Sequence, residues 1–162
     1  MKWKLRHSVR PGDVGYLTYL HGIFYAREYG YDATFEAYVA GGLADFVLSF
    51  RPGKDRIWLA QADNRIVGSV AIVGRPNRHA QLRWFFVHPD YRGHGIGKNL
   101  LKEALRFADR RNYTRVFLWT TSELDVARRL YEEAGFRKTA GKEHMVWGKT
   151  VKEERYDLDL RS

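Results

Sequence analysis

The residues best suited to chemistry lie in one segment, Phe86-Val87-His88-Pro89-Asp90-Tyr91-Arg92-Gly93-His94-Gly95-Ile96-Gly97-Lys98. Glycines at alternate positions let successive backbone N–H groups converge on one concavity. A helix starting there adds about half a positive charge at the same point. Such a loop cradles phosphate oxygens. Two familiar phosphate motifs are excluded by the spacing. A P-loop needs Gly at position 92 and Ser or Thr at position 99, where this chain has Arg92 and Asn99. A dinucleotide fingerprint needs its third Gly where Lys98 stands.

The chain that must position this loop has 162 residues, of which 44% are apolar, 15% aromatic and 29% charged. That inventory predicts one globular domain over residues 1–162 with a substantial core. With no Cys there is no thiol catalysis, Cys-ligated zinc or disulfide framework, so a reducing, cytoplasmic setting is expected. The six His show no metal-ligand spacing, so no metal is expected. Apolar runs such as 66–73 fall far short of the ~20 residues that span a bilayer, and residues 1–10 lack an apolar signal core. No membrane partner is expected. A net charge of +9 favours polyanionic company, whether nucleic acid, an acidic membrane or a phosphorylated cofactor.

Periodicity supplies the elements. A weak strand over 2–10 stops at Pro11-Gly12-Asp13. A helix with Val14, Leu17, His21, Phe24 and Tyr25 on one face then runs to Gly30. Asp32 or Thr34 caps a second helix with Phe35, Val39, Leu43, Phe46 and Val47 on its face, ended by Arg51-Pro52-Gly53. Strands follow over 57–60 and 66–73 around Asp63-Asn64, and over 81–87 before Pro89. A helix over 95–111 carries Ile96, Leu100, Leu101, Ala104, Leu105 and Ala108. After a strand over 116–121, a last helix shows Leu124, Ala127, Leu130, Tyr131 and Ala134 and closes at Gly135. Final strands are expected at 136–138, 143–147 and 155–160. The order β-α-α-β-β-β-α-β-α, followed by these final strands, predicts a mixed sheet covered by helices.

Arg92-x-x-Gly95-x-Gly97 behind V-H-P-x-Y, with Leu130-Tyr131-Glu132-Glu133-Ala134-Gly135-Phe136 downstream, resembles the GNAT superfamily of N-acyltransferases over most of the chain. In detail, residues 21–40 and 81–101 resemble the acetyltransferase half of bacterial MarR-acetyltransferase fusion proteins. The resemblance implies an α/β (α+β) fold, with a mixed, mostly antiparallel sheet of about seven strands flanked by four helices. It also implies a splay between two parallel strands that end at Val87 and Thr121. Acetyl-CoA is the implied cofactor. Its pyrophosphate would sit on backbone N–H groups of Arg92, Gly93, His94, Gly95, Ile96, Gly97 and Lys98, and its pantetheine arm on the main chain of Phe86 and Val87 as an added strand. Tyr131 is the implied acid, because a phenol of pKa near 10 is matched to a thiolate of about 8.5–10. Leu124 stands where the family often has an Asn.

The implied reaction moves an acetyl group directly to a primary amine of a small molecule, amino acid, antibiotic or protein. Attack needs a neutral amine, and many family members place a Glu on the strand before the glycine loop. Residues 81–87 hold no carboxylate. The first two helices roof the acceptor pocket in the family, so Glu28 leads as the group that binds or deprotonates the amine, with Glu36 and Glu123 behind it. His21 reads equally as a core histidine, and a water chain could carry the proton. Tyr25, Tyr29, Trp84, Trp119 and Glu36 are expected to line the acceptor slot, whose acids favour a cationic acceptor. Two other readings stay open. One is a non-catalytic acyl-CoA sensor. The other is a nucleic-acid binder using Lys98, Lys102, Arg106, Arg110 and Arg111, although no helix-turn-helix or RNA-binding signature accompanies them. A homodimer is left open.

Overall fold

The computed structural model describes residues 1–160. In chain order its elements are β1 (Lys4–Arg6), α1 (Asp13–Tyr29), α2 (Ala33–Leu48), β2 (Arg56–Ala62), β3 (Arg65–Arg75) and β4 (His79–Val87), then α3 (Ile96–Arg110), β5 (Arg115–Thr121), α4 (Asp125–Glu133), β6 (Arg137–Val146) and β7 (Lys149–Asp159). The strands form one seven-stranded sheet in the order β1-β2-β3-β4-β5-β7-β6. Every neighbouring pair is antiparallel except β4 and β5. This is the mixed, mostly antiparallel architecture expected from the sequence, with four helices on its faces. No helix among the described residues is long and apolar enough to cross a membrane.

The apolar stripes decide which helix covers which face. On one side α3 sets Ile96, Leu100, Leu101, Ala104 and Phe107 against Trp58, Val70, Ile72, Leu82 and Val116, and α4 adds Tyr131 to the same core. On the other side Leu17 and Leu20 of α1 and Phe35, Val39, Leu43 and Phe46 of α2 pack on Ile57, Leu59, Ala71, Trp84 and Phe86. Each fully buried Leu stabilises the fold by about 1.5–3 kcal/mol relative to an exposed one.

Local chemistry moves several expected boundaries. Asp32, rather than Thr34, caps α2, accepting from Thr34 N at 2.9 Å. Gly12 is the N-cap of α1, and Asp13, inside its first turn, takes the Arg10 N–H and the Arg6 guanidinium, each at 2.7 Å. The first strand shrinks to three residues at the sheet edge. The three short final strands are in fact two long ones, turned at Trp147-Gly148 with φ 55° and 84°. Charges on both faces of this outer hairpin hid its alternation.

The site is positioned by an irregularity in β4. Its parallel pairing with β5 ends at Gln81↔Phe117, although β4 runs on to Val87 and β5 to Thr121. Across from β3, Ala71 faces Arg83 and Ser69 faces Phe86, so Trp84 and Phe85 together oppose Val70. Trp84 sits at φ 49°, and the buried Ser69 hydroxyl donates to the Trp84 carbonyl at 2.6 Å. A bulge of this kind bends its strand, and here β4 leaves β5 at that point. The result is a notch in the middle of the sheet.

Candidate active site

Two cavities open at the notch. The first, about 570 Å³, is lined by the end of β4, the glycine loop and the start of α4. The loop backbone at Gly93 and Gly95 turns through φ 81° and 80°, and nothing lies within 4 Å of where a Cβ would stand at either residue. The first amide with a helical acceptor in α3 is Asn99, bonded to Gly95 O at 3.0 Å. The amides of Ile96, Gly97 and Lys98 therefore form the unsatisfied N-terminus beside an open concavity. Gly97 serves a different purpose. A Cβ there would meet Leu130, Phe85 and Val87 at 3.3–3.4 Å, so its hydrogen lets α3 seat against β4 and α4.

Several expected cofactor contacts change in detail. Arg92 N already donates to Pro89 O at 3.4 Å, so Arg92 offers its guanidinium rather than its amide. That guanidinium makes a bidentate pair with Glu28 at 2.7 and 2.9 Å and reaches Val87 O at 3.3 Å. His88 N bonds Val67 O at 2.7 Å, so by strand alternation Phe86 also turns its main chain toward β3. Phe85 and Val87 are the residues whose main chain faces the notch, and Phe86 contributes its ring. His94 is exposed and its side chain does not line the cavity. Lys98 and Arg129 line it, and among the described residues neither has an ion-pair partner. Arg129 escaped the sequence reading, since it lies outside both motifs.

The second cavity, about 400 Å³, lies on the α1/α2 side and shares Tyr25, Phe85 and Leu124 with the first. Tyr131 is 4% exposed and lines it, packed on Phe85 and Phe136 at 5.6 and 5.8 Å. Burial pushes its hydroxyl well above the usual tyrosine range, so it stays protonated. Tyr25, Trp84 and Trp119 line this cavity too, while Tyr29 lines the first.

The three candidate carboxylates are differently placed. Glu28 lines the first cavity with both oxygens engaged by Arg92, which is ion-pair chemistry rather than that of a base facing an amine. Glu36 is exposed and lies over Gly22 on the outer α1–α2 surface, outside both cavities, so it is not an acceptor contact. Glu123 accepts from Tyr31 at 2.9 Å and from Lys149 at 2.6 Å, bracing the roof against β7. His21 is buried in the second cavity's wall. Its Nδ1–H donates to Leu17 O at 2.9 Å, and Nε2 has no partner. Burial lowers its pKa to about 4, so the ring is neutral with a lone pair on Nε2.

The profile of the acetyltransferase (GNAT) family matches residues 17–136. The chain belongs to that family. Over 90 residues it is 36% identical to the N-acetylaspartate synthetase of Xenopus tropicalis, covering 55% of this chain and 33% of that protein. Among the first curated relatives that it matches, the chain spans 32% to 46% of their length. The GNAT acetyltransferase of Staphylococcus aureus Mu50 superposes with a TM-score of 0.77 at 18% identity, covering 99% of this chain and 100% of that one. An acetyltransferase from Bacillus anthracis, solved in complex with acetyl coenzyme A, superposes with a TM-score of 0.59 at 23% identity over 69% of this chain and 65% of its own. The GNAT fold stands on these likenesses.

Proposed function

We propose that this GNAT protein transfers the acetyl group of acetyl-CoA directly to a primary amine, both bound at once. One observation carries the reading. A cavity with an open amide cradle and a second, aromatic cavity meet at the β4–β5 notch and share Tyr25, Phe85 and Leu124. The cradle fits the cofactor, since the space at Gly93 and Gly95 is open and three unsatisfied amides border it. Amides from Gly93 to Lys98 would hold the pyrophosphate, with Arg92, Lys98 and Arg129 supplying positive charge, while Val87 and Phe85 main-chain groups hold the pantetheine arm.

Acetyl-CoA supplies an acyl group activated as a thioester. Tyr131 gives its proton to the sulfur as the C–S bond breaks and the C–N bond forms. The amine, arriving as an ammonium, gives up two protons, one before attack and one after it. One proton is balanced by the thiol formed through Tyr131, and the other leaves to solvent. Proton removal need not fall to a carboxylate, since Glu28 and Glu123 are already engaged. The names of the curated relatives support amine acetylation. The finer kinship we propose, with the acetyltransferase half of MarR-type fusions, rests on residues 21–40 and 81–101.

Thiol release from acetyl-CoA across an amine panel tests the reading, with calorimetry for the cofactor. Turnover is expected. Binding without turnover would instead favour an acyl-CoA sensor, and neither would favour a binder of other polyanions.

A further inference from the structure

The charges around the acceptor cavity run opposite to the expectation from the sequence. Of the acids that favoured a cationic acceptor, Glu28 is tied to Arg92, Glu123 to Lys149 and Tyr31, and Glu36 lies outside. The charged residues lining the cavity are Arg83, Lys142 and Glu153. Glu153 is held by His144 Nε2 at 2.5 Å. Arg83 and Lys142 have no carboxylate within ion-pair distance among the described residues. Arg83 is nonetheless fixed in place, stacked 4.4 Å over Trp84 with one N–H given to Tyr38 Oη at 3.1 Å. Most of its five donors remain unmet. Lys142 Nζ sits 5.1 Å over the Trp119 ring. Glu153 is the cross-strand neighbour of Lys142, so the lining carries two cations against one carboxylate, and Arg83, with no acid beside it, leaves an excess of positive charge suited to an anion.

The opposite requirement comes from His21. Its Nδ1–H is committed to Leu17 O, so Nε2 is a buried acceptor without a donor, in the wall of the same cavity. A buried acceptor left unmet costs about 1–3 kcal/mol. The His21 ring lies 5.0 Å from Phe86 and 5.7 Å from Tyr25, both of which also line the cofactor cleft. This places the unmet acceptor on the side of the cavity that adjoins the cofactor cleft. Between the two ends the wall is aromatic, with Tyr25, Phe35, Tyr38, Trp84, Trp119 and Trp147.

Building on the acetyl-transfer reading above, we infer that the amine acceptor is a free amino acid with a large apolar side chain. Its carboxylate is bound by Arg83 and Lys142, its amino N–H by His21 Nε2, and its side chain by the aromatic wall. A polyamine meets two cations and a single carboxylate, one oxygen of which is already bonded to His144. A protein N-terminus lacks the adjacent carboxylate, because that group has become an amide.

The test uses the full chain with acetyl-CoA and matched trios: phenylalanine, phenylalaninamide and phenethylamine; leucine, leucinamide and isopentylamine; and spermidine as the cationic control. Acetylated product is read by mass spectrometry and cofactor affinity by calorimetry. The free acids are expected to exceed their amides and decarboxylated partners at least tenfold in kcat/KM, because a site built around a hydrogen-bonding group rejects analogues that lack it. That advantage shrinks in Arg83→Gln and in Lys142→Gln, both still binding acetyl-CoA. Amides or plain amines turned over within threefold of the acids overturn the inference, as does spermidine as the best acceptor. So does the lack of turnover of any acid by protein that binds acetyl-CoA. Failure to bind acetyl-CoA at all overturns the acetyl-transfer reading itself.

Discussion

The cofactor cleft and the acceptor cavity share three residues yet are built by opposite means. The cleft is made largely of backbone: amides at a helix start, glycines without side chains, and strand edges left open by a bulge. The acceptor cavity is made of side chains from α1, α2, α4, β4, β5, β6 and β7, with rings and buried polar atoms deciding its chemistry. A backbone site tolerates most sequence change outside its glycines and serves one invariant ligand. A side-chain site is specific to whatever each chain places there. Single substitutions should therefore act on one site and spare the other.

The largest effect is expected at the junction. Tyr131→Phe keeps the ring packed on Phe85 and Phe136 but removes the hydroxyl that burial holds protonated. Loss of general-acid catalysis lowers kcat by about 10²–10⁴. Acetyl-CoA affinity, measured by calorimetry, should stay within about threefold, since the backbone cleft does not use that hydroxyl. A kcat close to wild type would mean that the sulfur leaves unaided or is protonated from elsewhere.

Next comes the acceptor wall's buried imidazole, read through stability. His21 has an ordinary pKa of 6.5 when unfolded and about 4 when folded. The unfolded chain therefore takes the proton first. Stability attributable to this residue is complete above pH 6.5 and falls as the pH drops toward 4, by on the order of 3 kcal/mol. The paired carboxylates of Asp13, Asp55 and Asp157 have folded pKa values below 3.8, so their contributions disappear at lower pH. Urea unfolding at pH 7 and pH 4.5 should show the loss in wild type, and much less of it in His21→Phe, which fits beside Phe86 and Tyr25. An equal loss in both proteins would remove His21 as the neutral group in the wall.

The same contrast explains what could be read from the sequence. The glycine turn, the buried face of α4 that carries Tyr131 and most of the order of elements were legible because local spacing encodes a helix start, an apolar face and a strand, whereas the role given to Tyr131 came from the family resemblance. The bulge was not, since it depends on Trp84 adopting a positive φ with Ser69 capping its carbonyl from another strand. A serine inside the apolar run 66–73 was the available signal. The partners of Glu28 and Glu123 lie 64 and 26 residues away, so composition suggested unpaired acids where folding neutralised them. Arg83 looked like an ordinary strand charge because the absence of a carboxylate beside it is a tertiary fact.

On the cofactor side, Gly95 and Gly97 should part company. Gly95→Val places a branched side chain at φ 80° and into the open cradle. Acetyl-CoA affinity should fall at least tenfold, about 1.4 kcal/mol, by calorimetry. Gly97→Val instead presses on Leu130, Phe85 and Val87, so its first symptom is a lower unfolding temperature. If Gly95→Val binds acetyl-CoA as well as wild type, the loop is only a turn.

The smallest effect is expected at the one carboxylate that sequence reasoning placed closest to the chemistry. Glu28 and Arg92 are 30% and 42% exposed, so their pair contributes little to folding, about 0–1 kcal/mol. Its value is to hold a guanidinium at the mouth of the cofactor cleft, reaching Val87 O. Glu28→Gln keeps the shape and one acceptor oxygen but weakens that hold. The KM for acetyl-CoA should therefore shift by no more than a few-fold, with kcat changed less than threefold and the pH profile intact. The opposite pattern, a tenfold fall in kcat/KM for the amine together with a displaced acidic limb, would place Glu28 on the incoming amine and make the backbone cleft a participant in acceptor chemistry. Arg92→Gln distinguishes the two independently. If the pair serves the cofactor, Arg92→Gln repeats the effect of Glu28→Gln on acetyl-CoA, and the double variant is no worse than Arg92→Gln alone.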